Sequence, residues 1–377
     1  MEVVVVGAGI GGLTAARALR ADDHAVVVLE EAPRLRATGG AVTLWPGATS
    51  VLRDLGVDAT GLGRPLGRME RRSPGGRRLL SLDLDAAGRS AGSPVVTVPR
   101  GRLVEALAAG GADRHVRTDA RCADVVQRAG GAGVVLEGGG SADADVVVGA
   151  DGARSAVRAA LHGDALRPTG QTTWQLPPRP TGTVLDDGDV CALLVGRAGM
   201  LGLNPCGDGL VQVWWDVRTS PHLGEHPRQM LRRLFGGWTA PESRAALALL
   251  DDPVAPLVPY ERGTYRVHRP WGRGRVTLLG DAAHAVPPSL AQGTNQAVED
   301  AAALARALRR PTAAADPAAA LRAYERASRP RTTIVSEASR REPTGRVLPE
   351  ALLRAVPDRA ATAVLRGWLH ATTDRAA

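Results

Sequence analysis

Apolar residues along this chain fall in short β-branched runs, each ending in glycine-bearing turns or followed by small, helix-forming residues. Residues 3–6 are the first such run, and an unbroken valine segment suits a strand buried on both faces of a parallel sheet. It leads directly into Gly7-Ala8-Gly9-Ile10-Gly11-Gly12. Residues 13–19 then carry the apolar and small positions of a helix, and 25–29 predict a second buried strand ending in Glu30. Strand, turn, helix and strand make a βαβ unit with the glycines at its turn. Apolar strands recur at 146–149 and 275–279, each followed by a turn. Between about 165 and 265, the runs that hold Trp174 and Gln175, Leu201 and Leu203, and Trp214 and Trp215 alternate as strands do. Residues 296–308 predict a helix, and the alanine-rich stretch 311–317 marks a joint before the last helices.

The spacing of the first turn has a specific physical logic. Gly7 allows the tight turn, Gly9 lets backbone N–H groups approach a pyrophosphate, and Gly12 lets the helix pack close to the sheet. The helix N-terminus adds partial positive charge toward the phosphates. Glu30 stands about 20 residues on, where a carboxylate accepts hydrogen bonds from ribose hydroxyls. A glycine fingerprint flanked by two strands and closed by an acid predicts binding of an adenine dinucleotide. At this point FAD and NAD both remain open.

Composition narrows the remaining chemistry. The 377 residues, 44% hydrophobic and 23% charged, are enough for two intimately joined globular domains. The net charge of +8 rests on 47 basic side chains, all of them arginine, and these are scattered rather than clustered. With one Phe and three Tyr there is no basic stripe interleaved with stacking rings, so nucleic-acid binding is not expected. The absence of lysine excludes Schiff-base chemistry and an attached pyridoxal cofactor. Cys122, Cys191 and Cys206 have no metal-type spacing and are odd in number, so neither a metal site nor a disulfide framework is expected. The apolar start is short, follows Glu2 and runs into glycines, unlike a secretory signal. No apolar stretch has the length of a membrane span. The expectation is a cytoplasmic protein without stable membrane insertion, monomeric or homodimeric.

Two further motifs decide between the dinucleotides. The strand at 146–149 leads into Ala150-Asp151-Gly152-Ala153-Arg154-Ser155-Ala156-Val157-Arg158, and the strand at 275–279 into Gly280-Asp281-Ala282-Ala283-His284. In this order, each after a strand, they resemble the DG and GD motifs of the FAD-dependent single-component aromatic hydroxylases, flavoprotein monooxygenases that include salicylate hydroxylase-like and urate hydroxylase-like enzymes. Residues 38–47 resemble the family's glycine-bearing segment after the second strand. Arg100, Leu103 and Leu107 are similar to its Arg-x-x-Leu helix, and 288–300 with 321–341 to the region that closes the flavin site and enters the last helices.

The resemblance implies roles for particular residues. Asp281 would accept hydrogen bonds from ribityl hydroxyls, the competing role being an N-cap for the turn at Ala282. Arg100 would reach the phosphate or ribityl region with its planar fork of donors. Pro288, Gly293, Thr294 and Asn295 belong to a loop whose backbone N–H groups and following helix would face the flavin pyrimidine. Ala291 replaces the family's usual glycine there, and Gly47 its usual asparagine. Arg154 and Arg158 are expected to be structural, Arg158 by pairing with Asp151. His284 is expected to be a satisfied core residue.

The fold expected is α/β: a Rossmann-like FAD-binding domain (1–72, 98–164 and 272–312), an inserted, mostly antiparallel substrate sheet (73–97 and 165–271) and a C-terminal helical section (313–377). Thr43, Trp45, Trp174, Gln175, Trp214 and Trp215 are candidates for the substrate pocket; Trp214 and Trp215, being adjacent in a strand, must point to opposite faces. No arrangement names a catalytic base. Lacking a second dinucleotide fingerprint, the chain is expected to meet NADH or NADPH only transiently. The resemblance implies a monooxygenase that consumes O2 and inserts one oxygen atom, most simply as a hydroxyl, into an electron-rich aromatic or heteroaromatic small molecule through a flavin 4a-hydroperoxide. An FAD oxidase or dehydrogenase without oxygen insertion, and a non-redox FAD-binding protein, are the alternatives. A flavin halogenase is disfavoured because its lysine and its Trp-x-Trp-x-Ile-Pro segment are both missing.

Overall fold

A computed structural model describes residues 1–35, 39–109, 115–182, 184–186, 188–218, 224–265, 270–309, 313–341 and 349–374. Thr38 and residues 310–312, which bear on two of the expectations above, lie outside this set.

Five parallel strands form the first sheet, in the order Val276–Leu278, Val146–Gly149, Glu2–Val6, Ala25–Leu29 and Val116–Arg117. Val3 to Val6 and Val146 to Val148 are fully buried, as runs covered on both faces must be. The register sets Val6 beside Gly149, and Gly149 beside Leu278. The glycine turn, the DG segment and the GD segment therefore leave neighbouring strands at one edge of the sheet, where α/β folds bind their ligands. The helices Ile10–Ala21 and Gly293–Arg309 pack together through a core that includes Leu13, Leu304 and Tyr324.

A seven-stranded, mostly antiparallel sheet forms the second layer, in the order Val258–Thr264, Arg167–Pro180, Leu210–Arg218, Gly199–Gly207, Val190–Gly196, Arg68–Arg72 and Arg78–Asp83. The strand Arg68–Arg72, expected in the FAD-binding part, pairs instead with Val190–Gly196 and belongs to this sheet. One face is closed by the helices Pro227–Phe235 and Pro241–Ala248 over Leu176, Leu203, Val213 and Trp215. The other faces the dinucleotide-binding part, where Asn204 lies beside Thr43 and Cys191 shares a small core with Trp45 and Leu369. The helix Pro317–Arg341, expected in a separate section, contributes Leu321 and Tyr324 to the core of the first sheet. No helix among the described residues is long and apolar enough to cross a membrane.

Candidate active site

The glycine turn is closed by its own sterics. Gly7 has φ +100°, and a Cβ on Gly12 would stand 1.9 Å from the carbonyl oxygen of Gly7, so neither accepts a side chain. At Gly9 the nearest group to such a Cβ is Arg100 Nη2, 4.0 Å away. Glu30 lies at the end of the second strand, and its carboxylate accepts from Ala8 N (2.9 Å) and Ala32 N (3.0 Å). It thus holds the turn in shape and keeps lone pairs for a ribose hydroxyl.

Arg100 begins the helix Arg100–Ala108, and its N–H donates to the Gly40 carbonyl. Its aliphatic stem lies 3.0 Å from the Cβ position of Gly39, which has φ +136°. The side chain so runs from the 39–40 segment to the glycine turn. Asp281 opens the short helix Asp281–His284, but Gly280 is the N-cap and the carboxylate makes no capping bond. The capping role weighed for it is absent. Burial raises its pKa, opposed by the charges of His284 and Arg100, and it accepts no hydrogen bond among the described residues. Gly293, first residue of the helix Gly293–Arg309, brings its Cβ position to 3.4 Å from Asp281 Oδ1.

Pro288 begins a 3-10 turn, Pro288–Leu290, that is reversed by Ala291 at φ +50° and ψ +35°. Glycine is the residue that takes this conformation without strain. Thr294 is half-buried in the first turn of the long helix, where backbone N–H groups lack intrahelical partners. Asn295 acts through its side chain rather than its backbone alone. Its Oδ1 accepts from Trp45 N (2.7 Å), and its Nδ2 donates to the carbonyls of Thr43 (2.9 Å) and Ala291 (2.5 Å). It ties the loop to the strand Ala41–Leu44. Gly47 has no room for the missing asparagine, since its Cβ position lies 2.5 Å from Glu299 Oε1.

The substrate-side candidates divide between the two faces of the large sheet. Gln175 pairs with Trp214, and Trp174 with Trp215. Trp214 faces the dinucleotide-binding part and lies over Gly202, its Nε1 donating to Asn204 Oδ1 (3.2 Å). Asn204 Nδ2 in turn reaches Thr43 Oγ1 (3.4 Å). Gln212 Nε2 donates to Gln175 Oε1 (3.0 Å), and both amides press against Gly40. Trp45 is buried at the junction, its Nε1 donating to the Leu290 carbonyl. Trp215 and Trp174 do not join this group. Trp215 is fully buried against the outer helices and Trp174 packs on the same side, because alternation along a strand sends neighbours to opposite faces. Leu201 and Leu203 lie there too.

Three polar elements below the turn were missed or misread in the sequence. Arg158 does not pair with Asp151, whose carboxylate accepts from Ala156 N, Val157 N and Ser155 Oγ. It binds Asp164 with two nitrogens and donates from Nη1 to the carbonyls of Ala282 and Ala283. His284 Nε2 meets Asp300 Oδ2 at 2.6 Å, and Arg331 Nη2 meets Asp300 Oδ1 at 2.5 Å. Burial works to raise the Asp300 pKa, but the charges of Arg331 and His284 hold it down at about 2. Beside it, burial pushes Glu299 up to about 7 against the Arg331 charge. The readable signal was the polar trio Gln296, Glu299 and Asp300, spaced to share one face of an otherwise apolar helix.

These residues fit an FAD molecule. The glycine turn tolerates close approach, and among the described residues neither the Arg100 guanidinium beside it nor the Asp281 carboxylate has a hydrogen-bonding partner, so both can meet a ligand. Comparison with known proteins agrees. Residues 1–339 match the FAD binding domain family, to which the chain belongs. It is 34% identical over 319 residues to the aurachin C monooxygenase/isomerase of Stigmatella aurantiaca, covering 82% of this chain and 80% of that protein. It is 32% identical over 344 residues to an FAD-dependent urate hydroxylase of Klebsiella pneumoniae, covering 86% and 85%. The crystal structure of Klebsiella pneumoniae HpxO complexed with FAD and uric acid superposes with a TM-score of 0.82 at 28% identity, over 100% of this chain and 94% of that one. The chain is an enzyme of the FAD-dependent monooxygenase and hydroxylase class, and FAD is its cofactor.

Proposed function

We propose that this enzyme uses NADH or NADPH and O2 to insert one oxygen atom into an electron-rich aromatic or heteroaromatic small molecule, with hydroxylation as the outcome. One oxygen atom goes to the substrate; the other leaves as water with the hydride of the nicotinamide and a proton. The observation that carries this reading is the meeting of two surfaces. The sheet face bearing Trp214, Asn204 and Gln175 closes on Thr43 and Gly40, beside the edge from which Gly7, Asp281 and Gly293 emerge. Relatives support the same class, among them the urate hydroxylase and a 3-amino-4-hydroxybenzoate 2-monooxygenase of Streptomyces cremeus.

When bound, FAD supplies the reduction of O2 and the transfer of one oxygen atom. The chain's own residues bind and orient. Gly7, Gly9, Gly12 and Glu30 take the adenosine and pyrophosphate, while Arg100 neutralises phosphate charge. Asp281 accepts from the ribityl chain. Pro288 and Ala291 shape the loop so that the N–H groups of Gly293, Thr294 and Asn295 face developing negative charge. The sheet excludes water and presents an indole to the substrate ring.

The test is a screen of phenols, indoles, quinolines and polyketide aromatics for substrate-stimulated NADH or NADPH oxidation, with products checked by mass for one added oxygen. A compound that stimulates oxidation and gains oxygen is the expected result. If stimulated oxidation gives only dehydrogenated product and hydrogen peroxide, the enzyme is an oxidase and this reading fails.

A further inference from the structure

The polar groups on the site-facing side of the large sheet are mostly amides. Asp216, on that face of the central strands, is paired within the sheet. Asp216 Oδ2 meets Arg262 Nη1 at 2.8 Å with both side chains 2% exposed, and Thr173 Oγ1 donates to Asp216 Oδ1. Arg262 Nη1 also donates to Gln171 Oε1. Both side chains of this pair are buried, so neither ion is exposed to meet a substrate charge.

Gln175 and Gln212 differ from these. The single bond between them, Gln212 Nε2 to Gln175 Oε1, uses one end of each amide. The carbonyl of Gln212 and the NH2 of Gln175 have no partner among the described residues, and neither atom is one of the sealed, unpartnered polar atoms of the interior. Exchanging the nitrogen and oxygen ends of both amides leaves the same complement, one carbonyl and one NH2. Both amides are braced by backbone, since the Cβ position of Gly40 lies 2.1 Å from Gln212 Nε2 and 2.5 Å from Gln175 Oε1. Two residues beyond Gln212 and opposite Gln175, Trp214 supplies an aromatic face, held by Asn204.

From this we infer that Gln175 and Gln212 are specificity-determining residues that recognise the lactam edge of an uncharged heteroaromatic substrate, its ring N–H donating to the free carbonyl and its adjacent C=O accepting from the free NH2. The inference rests on the reading of this sheet face as the substrate side of the site. The two free amide ends are neutral, so an anionic substrate gains no charge pairing from them, and a ring without the N–H leaves a buried carbonyl unsatisfied. Sites built to bond a polar group discriminate strongly against analogues that lack it.

The test uses three probes with one ring system: quinolin-2-one, N-methylquinolin-2-one, which lacks the N–H, and quinoline-2-carboxylate, which is charged. Binding to the FAD-loaded enzyme is followed through perturbation of the flavin absorbance, without NADH or NADPH. Quinolin-2-one is expected to bind at least about tenfold more tightly than either analogue. Gln175→Glu keeps an acceptor for Gln212 Nε2 and removes the free NH2, so it is expected to abolish that preference at unchanged FAD content. Gln212→Met, of similar size, is expected to do the same, which guards against a folding defect in one variant. Equal binding of the three probes, binding of none, or a preference that survives both substitutions overturns the inference. Because oxygen insertion is not read, failure of the monooxygenase reading shows separately, as a lactam that binds but gains no oxygen under turnover.

Discussion

The guanidinium of Arg158 lies 3.8 Å above the ring of Tyr265, and Arg158 donates from beneath to the carbonyls of the Asp281–His284 turn. Tyr265 Oη donates to the Ala153 carbonyl, so the DG segment, the end of the large sheet and the GD turn share one clamp. Arg158→Met keeps the stem and deletes the bonds that Arg158 makes to the Ala282 and Ala283 carbonyls and to Asp164. Breaking a buried pair costs about 3 kcal/mol. Thermal unfolding of the apoprotein is expected to shift down accordingly, and FAD retention to fall with it. An unchanged unfolding midpoint would mean the clamp carries no load.

Asp281 predicts the opposite pattern. Its folded pKa is raised by burial, so between the ordinary carboxylate value and the raised one the native state binds more protons than the unfolded state. Its contribution to apoprotein stability is therefore lost as pH rises from the ordinary carboxylate range through the raised value. Asp281→Ala is expected to leave the apoprotein at neutral pH as stable as before or more so, while weakening FAD binding. Equilibrium dialysis for FAD and calorimetry of the apo form read the two effects separately. Collapse of the apoprotein with unchanged FAD affinity would assign Asp281 a purely structural role.

The cofactor side was legible because its chemistry is local. Gly7, Gly12 and Asp281 each stand within a few residues of a strand end, and a short string records both turn and strand. The sheet was legible as alternation, but alternation has two phases. It separated Trp214 from Trp215 without saying which faced the site, and the phase is set by the helices Pro227–Phe235 and Pro241–Ala248, which cover one face from far along the chain. Arg331 and Asp300, and Gln175 and Gln212, were illegible for a related reason. Their pairing depends on contacts 31 and 37 residues apart, which no spacing rule records.

Glu299 gives a pH test of the C-terminal segment. Its carboxylate accepts from Asp374 N, so it docks the end of the chain against the long helix under Gly47. With a folded pKa raised from 4.5 to about 7, it destabilises the protein progressively as pH rises through that interval. Removing the charge with Glu299→Gln keeps an acceptor for Asp374 N. The variant is expected to gain stability at pH 8, on the order of 3 kcal/mol at most, and none at pH 4. Denaturant unfolding at the two pH values checks the sign.

Asn295 bonds three backbone groups from two separate elements. Asn295→Ala leaves them unsatisfied in the interior, at a cost of about 3 kcal/mol. Asn295→Asp keeps the acceptor for Trp45 N but loses both donations, and is expected to bring two carbonyls against a carboxylate. Both variants are expected to unfold at lower denaturant concentration, and a midpoint unchanged in both would show that the loop needs no such tie.

The adjacent tryptophans offer the sharpest separation of function from folding. Trp214 is half-buried on the site-facing side, and Trp215 is wholly buried in the outer core with its Nε1 unpartnered. Trp214→Leu removes a stacking surface commonly worth about 0.5 to 1.5 kcal/mol, so a several-fold rise in the substrate KM, or peroxide release in place of product, is expected at near-normal FAD content. Trp215→Leu instead leaves a cavity between the sheet and its outer helices, with a loss of about 3 kcal/mol in stability. Protein that survives this second change is expected to keep its KM. Measuring KM, peroxide yield and unfolding midpoint on both variants tests the assignment of faces. If Trp215→Leu alters KM at full stability while Trp214→Leu does not, the substrate lies on the other side of the sheet.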